Sequence, residues 1–141
     1  MIKFRGLTES GEWVYGSFAY HKPFKELRTY IKPKNTGRIE LIEVIPSTVG
    51  QFTGLKDKNG NEIYEGDILN STFGDGNSST IFFGEYFQDE DHPNASSIGF
   101  YFKDPDGDEY GFGKSTDGNT DAYEVIGNIH ENPELLKSEV V

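Results

Sequence analysis

The sequence contains no cysteine. That removes disulfides, thiol nucleophiles and cysteine-based zinc sites together. It has no apolar run long enough to span a membrane, and no secretory leader is expected. The chain opens instead on an alternating strand, so the expected compartment is the cytoplasm. The Asn-x-Ser/Thr matches at Asn70, Asn77 and Asn94 then have no route to glycosylation. Basic residues are scarce: 13 Lys and Arg face 24 Asp and Glu, a net charge of −11. Simple binding to a nucleic-acid backbone needs a basic face, so this balance argues against it. It reads as solubility, or as an acidic surface that meets a basic partner.

What is plentiful is glycine, 17 residues, and aromatics, 14% of the chain. Both suit a β-rich fold with many tight turns. At 141 residues the chain fits one domain and can bury about 68–70% of its unfolded surface. No staple is needed.

Ile2-Lys3-Phe4-Arg5 alternates apolar and basic residues, as a half-buried strand does. Thr8-Glu9-Ser10-Gly11 is a turn, and Glu12 to Tyr20 an aromatic strand that pairs back as a hairpin. Arg28 to Lys32 and Arg38 to Ile45 are further strands, stopped by Pro33 and Pro46. Between Lys22 and Arg38 the chain is locally basic.

The organising stretch runs from Gly50 to Leu69. At its centre Asp57-Lys58-Asn59-Gly60 has Asp at the first position of a type I turn and Gly at the fourth. With Gly60 left-handed this is a bulged hairpin that sets Lys56 opposite Glu62 and Leu55 opposite Ile63. Glu65-Gly66-Asp67 makes a second turn, and Ile68-Leu69 starts the next strand. Asn70 to Thr80 reads as a loop, and Ile81 to Phe87 as a strongly apolar strand. Ile98 to Lys103 and Asp108 to Phe112 flank the turn Asp104-Pro105-Asp106-Gly107, which repeats the chemistry of Asp57 to Gly60. Its register sets Lys103 opposite Glu109 and Phe102 opposite Tyr110. Ala122 to Ile129 is the closing strand. Asn132 caps a short last helix, with Pro133 at its first position.

Three acidic clusters imitate a calcium loop, at Asp104/Asp106/Asp108, Asp57/Asn59/Asn61 and Asp117/Asn119/Asp121. Each lacks the Gly at the sixth position and the Glu at the twelfth. Turn formation explains them without a metal. His21, His92 and His130 do not sit at metal spacing to one another. His130-Glu131-Asn132-Pro133 resembles a deaminase His-x-Glu only superficially, since the cysteine pair is missing. Gly74-Asp75-Gly76-Asn77 lacks the lysine and helix of a phosphate loop. No nucleophile, base and oxyanion set can be assembled, and no cofactor is expected.

The stretch Gly50-Gln51-Phe52-Thr53-Gly54-Leu55-Lys56-Asp57-Lys58-Asn59-Gly60, followed by Glu62-Ile63-Tyr64-Glu65-Gly66-Asp67-Ile68, resembles the signature of the YopX family. Ile2 to Arg5 resembles that family's opening, and Val125 to Leu136 its ending. These are small proteins of bacterial phages and prophages. The resemblance implies a mainly β, SH3-like barrel, with an N-terminal β-sheet region over residues 1–49 and a barrel over 50–141, or a single domain over 2–137. It implies the host bacterium's cytoplasm and no assigned activity.

The expected function is therefore non-enzymatic: a protein–protein interaction or regulatory module. Trp13, Tyr15, Tyr64, Glu65 and Asp67 are its candidate surface, with the aromatics serving as anchors only if exposed. A variant is an acidic DNA mimic that occupies a host factor. Head-to-tail self-association of the basic and acidic halves is a further possibility. The rival class is a nucleic-acid-associated barrel, contacting through Lys25, Arg28 and Lys32.

Overall fold

The structure, a computed structural model, describes residues 2–22, 26–33, 40–71, 78–87, 95–105, 107–111 and 123–136. The chain divides into two compact units, Met1–Gly54 and Leu55–Val141.

In the first unit β1 (Phe4–Leu7), β2 (Trp13–His21), β3 (Arg28–Pro33), β4 (Ile42–Glu43) and β5 (Gly50–Lys56) form an antiparallel sheet in the order β4-β3-β2-β1-β5. The predicted β1–β2 hairpin is present, with Leu7 opposite Trp13 and Phe4 opposite Gly16. The core is small. Ile31 and Val44 are buried, and Gly6 lies directly beneath Val44. The strand expected over Arg38 to Ile45 shrinks to two residues among those described. Beyond Glu43 the chain leaves the sheet for a 3-10 turn at Pro46–Thr48. That turn is tied back to the sheet: Thr48 Oγ1 accepts from Leu7 N at 2.9 Å and donates to the Ile45 carbonyl at 2.6 Å.

In the second unit the end of β5 leads through the Asp57–Gly60 turn into β6 (Glu62–Tyr64). Then come β7 (Asp67–Ser71), β8 (Ser78–Tyr86), β9 (Ser97–Lys103), β10 (Glu109–Gly111) and β11 (Tyr123–Asn128), in the sheet order β10-β9-β8-β7-β11. Strand β8 starts earlier than expected because Ser78, Ser79 and Thr80 pair with Asn70, Leu69 and Ile68. Ile63, Leu69 and Ile81 make the core, with Phe100, Phe102, Tyr123 and Val125 packed against it. Each fully buried aliphatic side chain there contributes about 1.5–3 kcal/mol.

The molecule is mainly β, as expected, but the SH3-like barrel is not seen among the described residues. Among those residues both sheets are open: the second begins at β10, paired with β9, and ends at β11. Among the described residues the expected C-terminal helix is a single 3-10 turn at Pro133–Leu136. The reason lies in Asn132. Its amide donates to the Asn128 carbonyl at 2.8 Å and its Oδ1 accepts from Asn128 N at 3.3 Å, so its side chain serves the preceding turn.

Candidate interaction surface

The organising stretch builds scaffold. Asp57 is 5% exposed, and its carboxylate accepts from Asn59 N and Asn61 N at 2.9 Å, and from Asn61 Nδ2 at 3.3 Å. It also accepts from Val125 N at 2.9 Å, and Lys58 N donates to the Tyr123 carbonyl at 3.1 Å. The turn is thereby sewn to β11. Burial pushes the Asp57 carboxyl up, but the hydrogen bonds from Val125, Asn61 and Asn59 outweigh it and hold the group below the ordinary range. Asp67 works similarly: it is 2% exposed and its Oδ2 accepts from Tyr64 N at 2.7 Å. Asn128 Oδ1 accepts from His130 N and Glu131 N at 3.0 and 2.9 Å. Among the described residues no three His, Asp or Glu side chains gather as metal ligands. Asp106, Asp117, Asn119, Asp121 and His92 lie outside the described residues.

The sequence-derived candidates are dispersed. Tyr64 is 2% exposed, so by the condition set on the anchors it is a core residue, as is Asp67. Glu65 is half-buried. Trp13 is half-buried with the Arg5 guanidinium 4.4 Å above its ring, while Tyr15 is exposed. Of the basic candidates, Arg28 Nη1 reaches Glu43 at 3.2 Å and its Nη2 lies 3.9 Å from Glu26. Lys32 is exposed, and Lys25 lies outside the described residues.

The β8–β9 ribbon carries a surface that the sequence reading missed. Along it Phe83 pairs with Phe100, Gly84 with Gly99, and Glu85 with Ile98. Alternation puts Phe83, Phe100 and Ile98 on one face. Ile98 is 76% exposed, and Phe83 and Phe87 about half exposed. On the other face Tyr101 stacks on Tyr86 at 5.3 Å and lies 5.7 Å from Phe82, each pair of rings within about 30° of parallel. Gly84 and Gly99 form the floor between them, with no atom within 4 Å of where a Cβ would stand. The available signal was the length of one apolar face: Phe83 and Ile98 continue the face on which Ile81, Phe100 and Phe102 pack into the core, beyond the point where that core ends.

Charge is divided as sharply. Residues 1–54 hold eight basic and five acidic side chains, a net of +3. Residues 55–141 hold five basic and nineteen acidic, a net of −14.

No curated protein matches this chain. Among solved structures, the crystal structure of protein EF1440 from Enterococcus faecalis is similar, at 26% identity and a TM-score of 0.46, over 97% of this chain and 99% of that one. The pattern of the YopX protein family matches residues 3–137. On that match, which spans nearly the whole sequence, the chain belongs to the YopX family.

Proposed function

We propose that this protein is a non-enzymatic module that acts by binding another protein. The observation that carries the reading is the exposed apolar face of the β8–β9 ribbon, where Phe83 and Ile98 stand in solvent on the strongly acidic unit. Contiguous exposed apolar side chains rimmed by charge mark interaction sites, and desolvated aromatic anchors supply most of the affinity at protein interfaces. The reading includes an origin in a phage or prophage and work in the host bacterium's cytoplasm, both implied by the resemblance. It does not need a closed barrel. The nucleic-acid alternative has thinner support, because the Arg28 guanidinium is already engaged by carboxylates.

The test immobilises the wild type and a Phe83→Ser/Ile98→Ser variant and exposes both to bacterial extract at low and moderate salt. We expect a protein retained by the wild type and lost from the variant, which stays folded although it gives up the Phe83–Phe100 ring contact at 4.9 Å. Equal retention by both would refute this surface. Saturable binding of single-stranded or duplex DNA, lost with Arg28→Ala and Lys32→Ala, would replace the reading with the nucleic-acid one.

A further inference from the structure

We propose that the second face of the β8–β9 ribbon receives a basic segment of the partner protein, seating an arginine or lysine side chain on the Phe82, Tyr101 and Tyr86 rings beside the carboxylate of Glu109. The inference rests on the preceding reading, in which the partner is a protein, and adds its chemistry.

The geometry comes from the register. Gly84 and Gly99 are directly opposed and carry no side chains. The Tyr101 and Tyr86 rings therefore approach to 5.3 Å although four residue positions along the ribbon separate them. With Phe82 they make a nearly parallel layer whose members are all half-buried. Glu109 pairs with Lys103, and Gly111 with Tyr101, which puts Glu109 diagonally beside Tyr101 on this same face. Burial first, then the charges of Glu109 and Glu65, hold the Tyr101 phenol above its ordinary range.

These features select among occupants. A cation over an aromatic face is attracted by the ring quadrupole, and a guanidinium also stacks. The apolar stem of Arg or Lys suits the rings, and its head suits the Glu109 carboxylate. A purely apolar segment would strip water from Glu109 without compensation. An anionic segment meets the −14 of this unit. Lys103, exposed and directly opposite Glu109, is the resident competitor for that carboxylate.

The experiment titrates the full chain with a five-residue peptide alternating glycine and arginine, and with its glutamate counterpart, followed by two-dimensional NMR at two salt concentrations. Saturable shifts centred on Phe82, Tyr86, Gly99 and Tyr101, seen with the arginine peptide alone, are expected. Glu109→Gln and Tyr101→Leu should each weaken binding by about two- to fivefold. Lys103→Gln should strengthen it, and Glu85→Gln, exposed on the opposite face, should leave it unchanged. Should Tyr101→Leu fail to fold, Glu109→Gln and Lys103→Gln decide the matter alone. Shifts spread over the acidic surface, equally weakened by Glu109→Gln and Glu85→Gln, would overturn the site as general charge attraction. Concentration-dependent self-association lost with the same variants would put a second copy on this face and also overturn it. If the arginine peptide fails to bind while the extract partner is still lost from Phe83→Ser/Ile98→Ser, this inference falls and the preceding one stands. Loss of both results removes both.

Discussion

Gly60 adopts φ 84°, with its amide donating to the Asp57 carbonyl at 3.1 Å. A β-branched residue pays strain of about 1–2 kcal/mol in that region. Gly60→Val should therefore lower the melting temperature clearly. Lys58→Ala should barely move it, since Lys58 only faces Glu124 across 3.5 Å of exposed surface. Equal small losses in thermal melts would remove the bulged turn. Asp57 gives a pH-dependent companion. Its folded carboxyl is held below the ordinary value, so its contribution is present above about pH 4 and lost as pH falls through the folded pKa. Asp57→Asn turns an amide group toward donors already in place and should cost about 1–3 kcal/mol at neutral pH. The gap in melting temperature between wild type and variant should narrow below about pH 4. A gap independent of pH would mean that the charge of the carboxylate is irrelevant.

At the scale of elements, one turn is used three times. In Thr8–Glu12, Asp57–Asn61 and Asp104–Asp108 the fourth residue is a left-handed glycine whose amide donates to the carbonyl of the first. In each, the first residue's side-chain oxygen accepts from the amide of the fifth, at 3.0, 2.9 and 2.9 Å. Two of these turns and the register after Asp104 were legible in the sequence, because an Asp and a Gly three apart act locally. The third was legible only as a turn, since threonine hides the same device behind a hydroxyl. What no local pattern carries is the bond from Val125 to Asp57, whose partners are 68 residues apart. Close approach is equally silent in the sequence. A Cβ on Gly16 would stand 2.0 Å from the Lys32 carbonyl oxygen, whereas one on Gly99 would meet nothing within 4 Å. Gly16→Ala should cost about 1–3 kcal/mol by forcing β2 from β3. Gly99→Ala should be neutral or stabilise by up to about 1 kcal/mol. Chemical denaturation of the two variants compares them directly, and similar midpoints would contradict the packing at Gly16.

For the whole molecule the dominant fact is charge. Nineteen acidic side chains against five basic ones in residues 55–141 repel one another in the folded state. Raising salt from about 0.02 to about 0.2 M shortens the Debye length from roughly 20 to 7 Å and should raise the melting temperature. A flat or falling response would mean that attractive pairs dominate. The acidity itself was legible from composition. The candidate surface was not: the sequence singled out Tyr64 and passed over Phe83, and only the packed structure shows the first ring buried and the second exposed.

Tyr86 and Ser97 face one another across the ribbon although ten residues separate them in the chain. The register that aligns the two strands is held by paired side chains on either face, so the connecting length is thermodynamically cheap. Doubling it adds only about 0.6 kcal/mol of closure entropy. A cysteine placed in a lengthened connection would be the chain's single thiol. A fluorophore attached there would label the protein at one position, joined to the ends of β8 and β9, without touching a residue of either face.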